Sequence, residues 1–374
     1  MKPNLPFDPG VWPFYSEECR RDVDLLLKQG GSLSAYRANP KVGSGPREGS
    51  WAWRLERAIE EKFKVKHAIA TNSGTAALHA GLRSVGVLGG EVITSPFTFS
   101  ATAGAILLAG GTPVFADVDV HTYSITKETV SRVLSKKTKA ILPVHLFGRF
   151  GGIDDLREFG LPVVEDACQA VGSQFAGAYA GVCGSAGGFS FNGTKNVPAG
   201  ECGAMVTGSE RRADQARLLA NHAENFGTRW VGYNYRPNEV TCCIAWHGLQ
   251  HVHTRNFERM ALATHLTFQM LDRAIGLRPD LEFDGSHVFY VYPFKVKRNR
   301  AAFAQRMKQR GVNVGQGYVN PPLHHYKAFR KYTKRALPVV DELSFKTLCL
   351  LDCVRPPATL ADMDYVAQAM EESL

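Results

Sequence analysis

The feature that most constrains the fold is an alternation of short apolar runs with helix-length segments between about residues 52 and 205. Each apolar run is rich in β-branched residues and is bounded by turn residues, which is typical of buried strands. The runs lie at 67–71, 91–95, 113–117, 140–144 and 161–166, and the helical segments lie at 75–85, 99–109, 126–134 and 152–158. This repetition predicts an α/β fold with a mostly parallel sheet flanked by helices. Ligands of such sheets bind at the carboxyl ends of the strands.

The pattern changes after about residue 205. The later segments are two helical stretches at 209–222 and 238–274, an alternating strand at 287–297, and helices at 300–310 and 359–372. We therefore expect an N-terminal arm and surface segment (1–50), a large α/β domain (51–249) and a smaller α+β C-terminal domain (250–374).

Composition excludes several classes of protein. Hydrophobic residues make up 44% and charged residues 21% of the chain, which is ordinary for a folded globular protein. The first residues, MKPNLPFDPGVW, have no apolar stretch, so we expect no signal peptide. The eight cysteines lack zinc-finger or thioredoxin spacing, which indicates reduced thiols and a cytoplasmic protein. The uncharged run at 92–116 contains prolines and glycines, so we expect strand, helix and strand there rather than a membrane span.

The net charge is +9, from 44 Lys and Arg against 35 Asp and Glu. A basic surplus favours anionic ligands such as phosphates and nucleotides. It leaves open an acceptor that is a nucleotide or a nucleic-acid base.

The first candidate site is a small-residue turn at 71–78, with the sequence TNSGTAAL. A strand ends here and a helix begins, so the amide groups of the first helical turn can bind an anion such as a phosphate. Ser73, Gly74 and Thr75 are the candidate phosphate-binding residues. Simple capping of the helix by Ser73 or Thr75 explains the turn equally well.

The second candidate site follows the apolar run at 161–166. Glu165 and Asp166 end this strand, and Gln169 comes three residues later. Because neighbouring residues of a strand face opposite ways, only one of the two carboxylates can point at a ligand. A strand-end capping acid is the alternative.

The third candidate site is a Gly- and Asn-rich turn that contains one lysine, in the sequence GFSFNGTKN at 188–196. A lysine that is desolvated or placed near other cations loses its proton readily, and the neutral amine of Lys195 could then form a Schiff base. An exposed loop lysine is the alternative.

The three motifs together resemble the layout of a pyridoxal-phosphate enzyme with the aspartate aminotransferase fold. Such an enzyme must anchor a phosphate, keep a pyridine nitrogen protonated with an acid, and hold an aldehyde on a lysine. The phosphate-binding turn, an acid after a strand, and Lys195, which lies 29 residues beyond Asp166, supply these parts in order.

The sequence is similar to the DegT/StrS-type sugar aminotransferases over most of its length. The segments that carry this resemblance are KHAIATNSGTAALHAGL (66–82), SPFTFSATAGAIL (95–107), PVFADVD (113–119), ILPVHLFGRFGGID (141–154), VVEDACQA (163–170), FSFNGTKN (189–196), GYNYRPNE (232–239) and HVFYVYPFKV (287–296). The resemblance implies the type I fold of pyridoxal-phosphate-dependent transferases, with pyridoxal 5'-phosphate as cofactor.

The resemblance also implies roles for single residues. Lys195 matches the Schiff-base lysine that moves the proton, and Asp166 matches the acid that faces the pyridine nitrogen. The other matching positions are Gln169 near the ring hydroxyl, Phe99 on the ring face, Gly74, Thr75 and Ser190 on the phosphate, and Asn234 on the phosphate of the neighbouring subunit. The implied assembly is a homodimer with shared active sites.

One departure from the family pattern is Cys202, a thiol where the family usually has a glycine. Its side chain either narrows the pocket or only packs. The segment at 317–323, GYVNPPL, is similar to the branch that acts on keto-cyclitols, although a plain loop of the small domain explains it equally well.

The expected reaction moves an amino group from glutamate or glutamine to a keto-sugar or keto-cyclitol, either free or nucleotide-linked, by a ping-pong mechanism. Three alternatives stay open: a cofactor-dependent dehydratase or a lyase like aminohydroxybenzoate synthase, amination of a nucleotide or nucleic-acid base, and a non-catalytic regulatory homologue.

We expect no metal site, because His324 and His325 lack a third ligand at metal spacing and Asp117 and Asp119 fit a solvated strand end.

Overall fold

The computed structural model describes residues 12–30, 32–36, 45–223, 231–273, 275, 277 and 286–374. The helices of this part of the chain are α1 (Glu17–Gln29), α2 (Trp51–Phe63), α3 (Gly74–Ser84), α4 (Ser100–Leu108), α5 (Lys127–Ser131), α6 (Asp154–Arg157), α7 (Glu210–Ala220), α8 (Glu239–Gln250), α9 (Val252–Asp272), α10 (Arg300–Gln309), α11 (Pro338–Glu342) and α12 (Leu360–Glu371). The strands are β1 (His67–Thr71), β2 (Glu91–Thr94), β3 (Thr112–Phe115), β4 (Thr138–Leu142), β5 (Val164–Asp166), β6 (Gln174–Phe175), β7 (Ala178–Tyr179), β8 (Ala186–Ser190), β9 (Gly203–Thr207), β10 (Tyr292–Lys295) and β11 (Leu348–Leu351).

Seven of these strands form the main sheet, in the order β3-β2-β4-β5-β8-β9-β1. Two parallel bridges, Ile141 to Val163 and Val144 to Asp166, connect β4 to β5. Strand β9 runs antiparallel to both of its neighbours, and the other pairs are parallel. The predicted α/β class with a mostly parallel sheet is therefore confirmed.

Strands β8 and β9 escaped the sequence prediction, β8 because its composition is unusual. Strand β8 has the sequence AGGFS, and glycine is depleted in strands. The structure explains the choice: a Cβ atom at Gly187 would overlap the backbone carbonyl of Gly181. Glycine lets the loop before β8 lie directly against the strand.

The second half of the chain also differs in detail from the prediction. The single helical stretch at 238–274 is two helices, α8 and α9, which are separated at His251. The predicted strand at 287–297 is shorter, because Phe289 has a left-handed backbone (φ 45°) and the strand begins only at Tyr292.

The C-terminal elements have an apolar core of their own. It lies between β10, β11 and the helices α9, α10 and α12, and its members include Leu266, Phe294, Phe303 and Met363. This arrangement agrees with the expected small domain, although the boundary at residue 250 and the division into domains stay predictions.

In the part of the chain that the structure describes, no helix has the length and apolarity needed to cross a membrane. The uncharged run at 92–116 forms β2, α4 and β3, as the sequence predicts.

Candidate active site

A cavity of about 410 Å³ lies at the carboxyl ends of β1, β2, β5 and β8. Eight of the nine residues predicted to form the site line this cavity: Ser73, Gly74, Thr75, Phe99, Asp166, Gln169, Ser190 and Lys195. Because parallel strands end at the same edge of a sheet, residues far apart in sequence meet here.

The first turn of α3 forms one end of the cavity. Ser73 is the N-cap, and its Oγ accepts a hydrogen bond from the amide of Ala76 at 3.2 Å. The next amide groups, those of Gly74 and Thr75, have no intrahelical partner, as in any first helical turn. Capping and anion binding are thus compatible uses of the same turn.

Gly74 is required by a close approach of three loops. A Cβ atom at this position would lie 2.7 Å from Sγ of Cys168 and 2.8 Å from Cβ of Ser190. Any larger residue would therefore separate the turn after β1 from the loops after β5 and β8.

The carboxylate of Asp166 lies in the cavity wall and is only 5% exposed. Its Oδ2 accepts a hydrogen bond from Oγ1 of Thr102 at 2.7 Å, and its Oδ1 accepts one from the amide of Cys168 at 3.2 Å. Thr102 in turn lies 2.9 Å from the hydroxyl of Thr98. Among the described residues, no Lys, Arg or His forms an ion pair with Asp166.

The neighbouring carboxylate has a structural role. Glu165 is fully buried, and it accepts hydrogen bonds from Nε2 of His145 at 2.9 Å and from the amide of Gly181 at 2.8 Å. Nδ1 of His145 accepts from the amide of Gly151 at 2.8 Å, so this histidine is a satisfied core residue. Alternation along β5 thus turns Glu165 away from the cavity and Asp166 into it.

Gln169 is fixed by two donors. Its Oε1 accepts from the amide of Phe147 at 2.9 Å and from the hydroxyl of Tyr318 at 2.6 Å. Because both lone pairs of this oxygen are used, only the side-chain NH₂ group is left to bind a ligand. Burial raises the pKa of Tyr318 well above its usual value, so the phenol stays protonated and able to donate.

Lys195 is half-buried and lines the same cavity. Its Nζ lies 4.1 Å from the ring centre of Tyr290, a cation–π contact worth about 0.5–1 kcal/mol. The hydroxyl of Tyr290 lies 3.1 Å from Oγ1 of Thr194, which orients the ring. Phe99, which is 54% exposed, packs edge-on against Tyr318 at 5.8 Å and covers the cavity mouth.

Three residues of the cavity escaped the sequence analysis. Thr102 and Tyr290 lie in two of the segments that carry the family resemblance, 95–107 and 287–296, but the sequence assigned no role to either side chain; Tyr318 was noticed only as part of the segment at 317–323. For Tyr290 a signal exists in the sequence, an aromatic-rich run that is longer than β10 itself requires.

Other predictions have mixed outcomes. Asn234 does not line the cavity of its own chain; its Oδ1 accepts from Nε of Arg236 at 3.2 Å. Cys202 is fully buried in an apolar core and does not line the cavity, so its thiol does not narrow the pocket.

Two expectations about metal ligands are wrong. Asp117 is not a solvated strand end, since its carboxylate accepts from the amides of Val339 and Val340 at 3.1 and 3.0 Å. His324 and His325 do have a third potential ligand, Asp341, which the fold brings beside them from α11. Sequence spacing missed it because 16 residues separate His325 from Asp341.

Comparisons with known proteins agree with this geometry. A sequence model of the DegT/DnrJ/EryC1/StrS aminotransferase family matches residues 41–371. A pleiotropic regulatory protein of Geobacillus stearothermophilus is 33% identical over 315 residues, covering 81% of this chain and 84% of the relative. The GDP-perosamine synthase of Caulobacter vibrioides is 30% identical over 345 residues, covering 87% of this chain and 91% of the relative.

Solved structures give the same result. The crystal structure of DesV from S. venezuelae, in complex with a ketimine intermediate, has a TM-score of 0.82 and 27% identity, covering 95% of this chain and 94% of that chain. The type I fold, the pyridoxal-phosphate cofactor and the aminotransferase activity expected from the motifs are thereby confirmed. The chain belongs to the DegT/DnrJ/EryC1/StrS aminotransferase family.

Proposed function

We propose that this enzyme moves an amino group from glutamate or glutamine to a keto-sugar or keto-cyclitol, with Lys195 and Asp166 as its catalytic residues. The observation that carries the residue assignment is the buried carboxylate of Asp166, which faces the same cavity as Lys195 and forms no ion pair with a described residue. Burying an ion without a partner costs several kcal/mol, so this position calls for a cationic ligand.

The residues that line the cavity suit both the phosphate and the ring of the cofactor. The first turn of α3 offers amide donors for a phosphate, and Ser190 offers a hydroxyl donor. Gly74 has no side chain that could cover this turn. At the other end, Asp166 is placed to hold a proton on a pyridine nitrogen, because a carboxylate stabilises an adjacent cation.

The bound pyridoxal ring supplies an electron sink for the carbon that exchanges the amino group. The chain's own residues do the rest. Asp166, held by Thr102 and the amide of Cys168, would keep the ring nitrogen of the bound cofactor protonated, and Nζ of Lys195 would move the proton at the reacting carbon. The NH₂ group of Gln169, whose oxygen is already bonded to Phe147 and Tyr318, would donate to the ring oxygen, and Phe99 would cover the ring face.

The support for a sugar acceptor is the name of the Caulobacter relative, a GDP-perosamine synthase. The net charge of +9 suits a nucleotide-linked substrate. The regulatory alternative has a named relative as well, but Lys195 and Asp166 in one cavity favour turnover. A dehydratase or lyase would use the same cavity, and a labelled donor separates it from an aminotransferase.

We also propose a homodimer with shared active sites and a cytoplasmic location. Phe99 at the cavity and Leu108 at the far end of α4 are each more than half exposed, and exposed apolar side chains of this size favour a partner surface. Asn234 would reach the phosphate site of the neighbouring subunit. All eight cysteines are free thiols, as expected in a reducing compartment.

Replacing Lys195 by alanine removes the amine that binds the cofactor covalently. We expect the absorbance band of the covalently held cofactor to disappear and kcat/KM to fall by about a thousandfold, because acid–base catalysis contributes about 10²–10⁴-fold. The control is Lys308→Ala, an exposed lysine of α10, which should keep both. Turnover at the wild-type rate in Lys195→Ala would contradict the assignment.

Replacing Thr102 by valine keeps the side-chain shape and removes the hydrogen bond to Asp166. Hydrogen bonds to charged groups are worth about 1.5–3 kcal/mol, so we expect kcat/KM to fall by about 10–100-fold. The pH dependence of the cofactor spectrum should also shift, because the valine leaves Asp166 less well held. Thr102→Ser keeps the hydroxyl, so we expect it to have the kcat/KM and the spectral pH dependence of the wild type. Equal losses of kcat/KM in the valine and serine variants would rule out a role of the Thr102 hydroxyl in holding Asp166.

A donor labelled with heavy nitrogen at its α-amino group tests the reaction class. Incubated without any acceptor, the holoenzyme should release about one equivalent of keto acid per chain, as a ping-pong mechanism requires. On addition of nucleotide-linked keto-sugars or keto-cyclitols, mass spectrometry should find the label in the product. A dehydrated product without label would identify a lyase instead.

Mixed dimers test whether active sites are shared. Lys195→Ala and Asn234→Asp should each be inactive, the second because a negative charge repels the phosphate while Arg236 keeps its acceptor. After co-refolding, about a quarter of the wild-type activity should return, since about half of the dimers are mixed and each has one intact site. No recovery from dimers shown to be mixed would contradict sharing.

A further inference from the structure

We propose that His324, His325 and Asp341 form a binding site for a divalent zinc ion, separate from the cofactor cavity. Nε2 of His324 lies 2.9 Å and Nε2 of His325 lies 2.8 Å from the same oxygen, Oδ1 of Asp341. The three potential ligand atoms lie within 4.8 Å of one another. None of the three residues lines the cofactor cavity, and the proposed aminotransferase reaction uses none of them.

The donor set suits zinc. Two imidazole nitrogens and one carboxylate oxygen are ligands that zinc prefers, and three protein ligands leave a fourth position for water. Zinc–ligand bonds of about 2.0–2.2 Å place tetrahedral ligands about 3.3 Å apart. Each histidine nitrogen would therefore move about half an ångström away from Oδ1 of Asp341, and the three ligand atoms, which lie within 4.8 Å of one another, would turn towards the ion between them.

One of the three proposed ligands is buried and two are partly exposed, which suits an ion that keeps access to solvent. The side chain of His324 is 7% exposed, whereas those of His325 and Asp341 are 43% and 41% exposed. The negative charge of Asp117 acts on His324 as well and adds to the attraction for a cation.

One feature limits the affinity. A ring that binds zinc through Nε2 carries its proton on Nδ1, and Nδ1 of His324 is buried with no hydrogen-bond partner in the described structure. A missing partner of this kind weakens metal binding by about 10–100-fold. We therefore expect a dissociation constant in the micromolar range rather than the nanomolar range.

The position of the proposed zinc site connects it to the cofactor cavity. His324 and His325 belong to a short helical segment, Leu323–His325, in which the amide of Leu323 donates to the carbonyl of Pro96 at 3.0 Å. The same stretch of chain contains Tyr318, which donates to Gln169 in the cofactor cavity. Asp341 belongs to α11, so a bound ion would connect α11 to the segment that carries Tyr318.

The test uses holoenzyme freed of metal by dialysis against a chelator. Titration with zinc chloride, followed by calorimetry, should give one ion per chain and a raised melting temperature. Cobalt should give a visible spectrum typical of nitrogen and oxygen ligands, without the thiolate band that binding to one of the eight cysteines would produce.

Two variants and one control make the test specific. His325→Asn and Asp341→Asn should each weaken zinc binding at least tenfold, and both positions are exposed enough to tolerate the change. His265→Asn is the control, since His265 forms a comparable pair with Asp364 at 2.7 Å but lacks a second histidine; it should bind zinc as wild type does. No zinc binding, or binding unchanged in both variants, would overturn the proposal without affecting the proposed aminotransferase function.

Discussion

The account depends on one buried charge, the carboxylate of Asp166. It is 5% exposed, it accepts hydrogen bonds from Thr102 and from the amide of Cys168, and no described Lys, Arg or His neutralises it. Hydrogen bonds from neutral donors offset only part of the free energy of removing an ion from water. The site is therefore built for a cation that arrives with a ligand, and a protonated pyridine ring meets that need. On this proposal Lys195, which lines the same cavity, would meet the aldehyde of the bound cofactor.

The sequence predicted this site well because its signals are local. A small-residue turn before a helix, an acid at the end of an apolar run and a lysine in a Gly- and Asn-rich loop can each be read within a few residues. The strand–helix alternation then places all three at one edge of the sheet. Gly74 shows the limit of such reading: the sequence identifies the turn, but only packing against Cys168 and Ser190 explains why the residue must be glycine.

The residues that the sequence missed act through contacts between distant segments. Thr102 reaches Asp166 across 64 positions, and Tyr318 reaches Gln169 across 149. No spacing rule covers such separations, because they depend on how α4 and the C-terminal segments pack against the sheet. The same reasoning applies to Asp341, which becomes a potential metal ligand only when α11 lies beside His324 and His325. Strand β8 was missed for a different reason. The backbone of Gly181 lies so close to the strand that Gly187 must be a glycine, and glycines are not typical of strands.

Chemical reduction of the holoenzyme tests the central claim most directly. Sodium borohydride fixes a Schiff base as a stable secondary amine, and digestion followed by mass spectrometry then locates the modified lysine. The account predicts a single phosphopyridoxyl group per chain, on Lys195 in the peptide that contains FNGTKN. A phosphopyridoxyl group on any other lysine, or none on a protein saturated with pyridoxal phosphate, would contradict it.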